Sequence, residues 1–415
     1  MLSRRMGGAM LAVMLLLAAP FTARAENPIT IGFGMALTGG LAPNGKAALA
    51  AMQIWEKEIN AKGGLLGRQV KLVYYDDQSN PAQIPGIYTK LLDVDKVDIV
   101  VSGYATNMIA PAMPIVIGHN RTFLALFGLA TNTEFNYPKY FAIQPTGGAN
   151  PKLEFARGFL AVAHEKNLST LALIGADAEF PRNAMDGART LAKEQGLKIV
   201  YDKTYPPTTS DYSPIIRAIQ ATSPDMVLVA SYPPDSVGMI RAANEVGLKT
   251  KLFGGGMVGL QSTPIKVQLG PLLNGIVNYD FWLPWSKLAT PEGLAFLKEY
   301  QAQAPAMGVD VLGYYLPPFA YAYMQVLTQA IETNKSLDDD KLAATLRTGT
   351  FKTIVGDIKF GSNGEWVEPR VMEVQFQNVK SNDMEQFRDP KTEVVLWPPA
   401  LKTGDLEFPY TDVKR

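Results

Sequence analysis

No cysteine occurs among the 415 residues, and histidine appears only twice, at His119 and His164. The first absence excludes disulfides, thiolate metal sites, a cysteine nucleophile and a lipid-bearing N-terminal cysteine. The second leaves little material for a histidine-based zinc site or a Ser-His-Asp triad. Neither sign of charge is in surplus, because 39 Lys+Arg stand against 39 Asp+Glu. A nucleic-acid footprint needs a basic excess gathered on one face, so no nucleic-acid partner is expected. Long apolar runs are missing too: after the first 25 residues nothing approaches the ~18 apolar residues of a membrane helix. What remains is an ordinary globular composition, 47% hydrophobic and 19% charged. It is long enough for two or three domains, each with its own core.

Residues 1–25 combine basic Arg4 and Arg5, an apolar run over 9–19 and the small-residue ending Ala23-Arg24-Ala25. This is the layout of a secretory signal peptide, and the apolar run is too short to span a bilayer. General secretion fits better than the twin-arginine route, because Gly7 and Gly8 stand where apolar residues are wanted. Cleavage would leave 36 basic against 39 acidic residues, a net charge of −3. An exported, soluble protein is expected.

Beyond the signal, short apolar runs alternate with helical patterns. Strands are expected over 29–37, 70–75, 97–102, 122–127, 170–174, 198–204, 226–230, 251–253 and 276–281. Most are near-continuously apolar, as parallel strands covered by helices on both faces require. Helices are expected over 46–61, 82–94, 108–118, 152–166, 184–195, 214–221, 236–246, 291–303, 318–333 and 338–347. In the first of these, Ala48, Met52, Trp55 and Ile59 recur at helical spacing, and Gly63-Gly64 supplies the stop. Such alternation means an α/β fold of doubly wound sheets, and nine strands suit two sheets better than one. Near the end, 356–360 and 371–377 flank the turn-rich Gly361-Ser362-Asn363-Gly364 and read as an antiparallel hairpin. The Pro-rich tail, 389–415, reads as an irregular surface wrap.

Two motifs tempt a catalytic reading. Gly40-Leu41-Ala42-Pro43-Asn44-Gly45-Lys46 has the spacing of a phosphate-binding loop, but Ala47 stands where a magnesium-holding Ser or Thr belongs. An export signal also argues against an ATP-dependent enzyme. Gly254-Gly255-Gly256-Met257-Val258-Gly259 satisfies GxGxxG, yet it follows several strands and reads more simply as a flexible loop lining a cleft. Asp76-Asp77 and the run Asp338-Asp339-Asp340 read as loop caps and a helix start. Neither G-x-S-x-G nor H-E-x-x-H occurs. No catalytic, metal or cofactor site is expected.

One resemblance runs through the remaining sequence. The start Ile29-Thr30-Ile31-Gly32-Phe33, the segment Leu37-Thr38-Gly39-Gly40 and the string Gly63-Gly64-Leu65-Leu66-Gly67-Arg68 leading to Tyr75-Asp76-Asp77 carry it. Ser102-Gly103, Ala130-Thr131-Asn132, Tyr232 and Gly275-Ile276 extend it. The chain resembles the leucine/isoleucine/valine-binding proteins, type I periplasmic solute-binding proteins of ABC importers. The resemblance implies two doubly wound, Rossmann-like lobes joined by a three-strand hinge, with ligand in the cleft between them. Lobe one would comprise 26–143 and 282–354, and lobe two 144–281 and 355–415, including the C-terminal hairpin. It further implies a monomer in the periplasm, not lipid-anchored, whose partner is a membrane permease of an ABC importer. A chemosensory partner remains an alternative.

Site residues follow from the same resemblance. Tyr104, Ala105 and Thr106 would meet a ligand carboxylate at a helix start, where free N–H groups favour an anion. Leu129, Ala130 and Thr131 would grip the same carboxylate. Phe180 and Tyr232 match cleft aromatics of the other lobe, and Gly256 and Met257 follow the strand where amino-acid binders carry an acid for the ligand ammonium. Here Gly254-Gly255-Gly256-Met257 has none. A buried ammonium without a partner costs several kcal/mol, which would all but abolish affinity. A substitute acid is conceivable in Asp177, Glu179 or Asp235, each expected to face solvent. The simpler expectation is a carboxylate ligand with an aromatic or aliphatic body and no ammonium, stacked on such rings as Tyr104, Phe180, Tyr232, Trp282 and Tyr314. The alternatives are branched-chain amino acid binding through a substitute acid and, from another class, a secreted α/β hydrolase.

Overall fold

The computed structural model describes residues 27–415, so the expected signal peptide lies outside the described residues. The chain first builds a five-stranded parallel sheet from β1 (Ile29–Met35), β2 (Val70–Asp76), β3 (Ile99–Tyr104), β4 (Phe123–Leu126) and β5 (Tyr140–Ile143). Their order is β2-β1-β3-β4-β5. A second parallel set follows, with β6 (Thr170–Ala176), β7 (Lys198–Tyr205), β8 (Met226–Ser231), β9 (Leu252–Met257) and β10 (Val277–Asp280). Strands β3 and β8 are buried at every position, because helices cover both faces and no residue can face water.

The helix Ala42–Ala61 shows how a local sequence sets this packing. Pro43 sits in its first turn, where a missing N–H costs nothing, and Met52 and Trp55 are buried along one stripe. Gly45 lets the helix lie directly on the loop after β1: a Cβ there would stand 2.0 Å from the Ala36 carbonyl oxygen. The helix begins inside the Gly40–Lys46 motif and Lys46 is exposed, so that segment forms a packing turn and no phosphate cradle. Asp76 accepts from the N–H groups of Leu37, Thr38 and Gln78, and Asp338 caps its helix by accepting from Lys341 N. The paired acids are loop and helix caps, as their positions imply.

Several expectations need correction. The hairpin between 356–360 and 371–377 does not form. β11 (Thr350–Thr353) pairs instead with β12 (Gly356–Lys359), and this ladder is tied to the helix Leu316–Asn334 through Gln325 and Gln329. That helix packs on Ala42–Ala61 and β4, so the small ladder belongs with the first sheet. β13 (Met372–Phe376) runs antiparallel beside β10, and β14 (Glu393–Trp397) pairs with β13, giving the order β14-β13-β10-β9-β8-β6-β7. The tail is therefore partly strand, because the apolar Val394-Val395-Leu396 find a free sheet edge. Gly254–Gly256 is not a loop but the body of β9. The expected helix 108–118 is broken into Thr106–Ile109, a 3₁₀ turn Ala110–Ala112 and Met113–Gly118, since Pro111 and Pro114 supply no N–H.

Candidate functional site

The carboxyl ends of β3 and β4 face those of β6, β8 and β9 across the gap between the sheets. Tyr104 ends β3, and Ala105 follows with φ 89° and ψ 139°, backbone that a non-glycine residue adopts only under strain. Phe127 (φ 60°) and Ala130 (φ 54°) after β4 are also left-handed. Three of the thirteen non-glycine residues with positive φ among the described residues therefore fall in these two adjacent loops. Thr106 opens the next helical turn, where first-turn N–H groups have no intrahelical acceptor.

The residues around this gap enclose a cavity of only about 20 Å³, room for about one water molecule. Six of its ten lining residues are aromatic: Tyr104, Phe127 and Tyr315 from the first-sheet side, and Phe155, Phe180 and Tyr232 from the other. Phe127 lies at the hub, with ring centroids 5.2 Å from both Tyr315 and Phe319 and 5.4 Å from Phe281. Phe155 mirrors it, 5.0 Å from Phe180 and 4.6 Å from Tyr279. Phe281 links the two sets, 5.4 Å from Phe127, 5.8 Å from Phe155 and 6.1 Å from Tyr315. The remaining lining is Ala105, Thr106, Gln144 and Val258, so no Asp, Glu, Lys, Arg or His borders the cavity.

Its polar groups are neutral. Asn44 Nδ2 donates to the Tyr104 hydroxyl at 3.1 Å, and the Tyr279 and Tyr315 hydroxyls lie 3.1 Å apart. Burial pushes Tyr104 up to about 12 and holds Tyr232 and Tyr315 well above the usual phenol range, keeping all three as hydroxyls. Gln144 Oε1 and the Tyr232 hydroxyl are buried without a hydrogen-bond partner. Each is open to a hydrogen bond from a ligand or a water.

Of the residues singled out from sequence, Tyr104, Ala105, Thr106, Phe180 and Tyr232 come together around the cavity. Leu129, Ala130 and Thr131 stand behind it. Leu129 N donates to Thr106 Oγ1, Asn183 Nδ2 reaches across to Leu129 O at 2.9 Å, and the side chain of Thr131 lies against Tyr140. Gly256 and Met257 do not border it either, and the Met257 N–H donates to Asn278 Oδ1 at 2.9 Å. Trp282 is buried away from the cavity, and Tyr314 packs on Trp285 while its neighbour Tyr315 takes the lining position. Phe127, Gln144, Phe155, Val258 and Tyr315 went unread. Only their positions just beyond or between strands could have pointed to them.

The substitute acids are accounted for elsewhere. Asp177 is exposed, Glu179 is half-buried, and the two share Arg182. Asp235 is buried, against expectation, and accepts from the Tyr205 hydroxyl, with burial raising its carboxyl to about 6. A larger cavity of about 570 Å³ lies at the far end of the second sheet, between Asn274 and the C-terminal tail, remote from the strand ends.

A family profile described as periplasmic binding protein matches residues 28–381. A leucine-, isoleucine-, valine-, threonine- and alanine-binding protein of Pseudomonas aeruginosa is 24% identical over 342 residues, covering 82% of this chain and 88% of its own. Among solved structures, a branched-chain amino acid binding protein from Streptococcus pneumoniae in complex with isoleucine superposes with a TM-score of 0.71 at 19% identity, covering 90% of this chain and all of its own. A solute-binding protein from R. palustris in complex with benzoate gives 0.74 at 17% identity, covering 91% and 98%. The likeness to these two structures is one of fold.

Proposed function

Since the chain belongs to the periplasmic binding proteins of the leucine/isoleucine/valine-binding type, we propose that its cleft captures a small carboxylate with an aromatic or apolar body and no ammonium. The protein then presents this ligand to the permease of an ABC importer. The observation that carries the reading is the cavity wall: six rings and no acid. An α-amino acid would bring its ammonium into that wall unpaired. At about 1.4 kcal/mol per tenfold, a cost of several kcal/mol removes a thousandfold or so of affinity. A benzoate-like ring instead meets faces and edges suited to stacking. Its carboxylate has the Thr106 turn, and any ring hydroxyl has Gln144 Oε1 as acceptor.

The binding cycle on this reading is a hinge motion. The lobes open about the three crossings and the aromatic cluster parts. Ligand then replaces ring-on-ring contacts with ring-on-ligand contacts. We place the lobes at 26–143 with 282 to the end of β12, and at 144–281 with the segment from β13 onward. On this reading the protein works as a monomer in the periplasm after removal of 1–25.

A thermal-shift screen of benzoate, 4-hydroxybenzoate, leucine, isoleucine and valine tests the reading. A ligand at a hundred times its Kd adds about 2.7 kcal/mol of stability. The aromatic acids are expected to raise the melting temperature and the amino acids not to. Stabilisation by leucine at micromolar concentration, with none by the benzoates, would overturn it. Turnover of a bound ester or amide would point to the hydrolase alternative.

A further inference from the structure

A third cavity, of about 310 Å³, lies beside the hinge and apart from the aromatic cleft. It is enclosed by the turn Asn132–Phe135, by Ala149 on the first crossing and by 362–365 on the third. Asn132, Asn136, Tyr137 and Asn363 supply polar walls, and Glu365 is the only Asp, Glu, Lys, Arg or His that borders it. Glu365 is 2% exposed, and its Oε2 has no hydrogen-bond partner. The nearby cations are engaged elsewhere. Arg347 donates to the carbonyls of Gly361 and Pro138, Arg370 to those of Val355 and Asp357, and Lys139 pairs with Asp340.

The backbone holds this acid inside. Asn363 Oδ1 accepts from Glu365 N at 3.1 Å, Glu365 O accepts from Gly361 N at 2.7 Å, and Gly364 O accepts from Ala142 N of β5 at 2.8 Å. The segment is clamped on both sides, which fixes the backbone that carries the carboxyl. Burial pushes it up to about 8. A buried carboxylate with no partner is costly, and a cation brought into the cavity removes that cost.

We propose that this cavity is a second binding site, for a small ammonium-bearing molecule whose charged nitrogen pairs with the Glu365 carboxylate. The space suits an organic body rather than a bare metal ion. Its volume is at the lower end of small-molecule sites, and a divalent metal wants more anionic oxygen than one acid supplies. No group of three or more His, Cys, Asp or Glu able to hold a metal occurs among the described residues. Asn132 and Asn363 donate to the carbonyls of Tyr137, Asn363 and Gly148, which leaves Asn136 as the amide that meets a polar body, and an occupant touches two of the three crossings at once. It therefore bears on the hinge as well as on lobe one.

Isothermal titration with ethanolamine, at about one pH unit above the Glu365 value, tests the site directly. Saturable one-to-one binding is expected, weakened at least about tenfold in Glu365→Gln. The thermal midpoint of that variant, measured without ligand, reports whether it folds. No saturable binding of ethanolamine, equal binding by the folded variant, or preference for calcium chloride over ethanolamine would each overturn the proposal. None of these outcomes depends on what the aromatic cleft binds.

Discussion

Carboxyls buried without a cation set how this fold answers to pH, and Glu373, both of whose oxygens lack a partner, is one of them. Glu365 titrates near 8, and burial also raises Asp77 and Asp235 to about 6. Each binds its proton more tightly folded than unfolded, where carboxyls titrate near ~4. Above that value the unfolded chain releases protons that the folded chain keeps, so stability falls with rising pH until the folded value is passed. Between about pH 6 and pH 8 Asp77 and Asp235 have finished and Glu365 has not. Urea unfolding of the wild type is therefore expected to lose about 1.4 kcal/mol more per pH unit across that window than unfolding of Glu365→Gln. Parallel slopes for the two proteins would show that Glu365 is solvated. None of this was legible from the sequence, where Glu365 follows a turn-rich Ser362-Asn363-Gly364 and looks like a surface residue. Its burial comes from the clamp on β5.

Among elements, β9 is the one whose sequence argues most against its structure. Glycine is a poor strand former, and three in a row read as a loop. The strand exists because its neighbours leave no room for side chains. A Cβ on Gly254 (φ +145°) would stand 1.6 Å from the Val277 carbonyl oxygen, and one on Gly255 would stand 2.7 Å from Leu228 Cγ. Gly254→Ala is expected to cost more than about 3 kcal/mol, because the clash is with backbone that cannot step aside. Circular dichroism melting measures the loss, and a shift of only a degree or two would mean the sheet yields there. Strands with unbroken apolar runs, such as β3 and β8, were legible. β5 was missed because four residues after Pro138 are too short to show a pattern. β14 was missed because Pro398 and Pro399 dominate its surroundings. The false hairpin arose from turn chemistry that is real but serves a crossing between lobes.

For the molecule as a whole, a contact that joins the two sheets' loops without touching the cavity bears on the proposed closure. Asn183, in the helix Glu179–Glu194, donates across the cleft to Leu129 O. Asn183→Leu removes the donor and favours the open form. Given about 0.5–1.5 kcal/mol for such a bond, ligand affinity should fall about two- to tenfold, mainly through faster release. Stopped-flow fluorescence reads both rates. A slower association with unchanged release would instead mean that Asn183 guides entry.

The amino-acid sequence by itself determined the strand–helix alternation, the two-sheet α/β class and the lack of an acid after the strand that would carry one in amino-acid binders. Those features are local, since periodicity and residue type at one position are written in consecutive residues. Only the tertiary structure decided which rings meet in the cleft, that Tyr315 and not Tyr314 lines it, and that β11 and β12 stay with the first sheet. Phe127, Phe155 and Tyr315 are far apart in the chain. That they line one cavity depends on how the crossings bring two sheets face to face, a relation that no window of sequence contains.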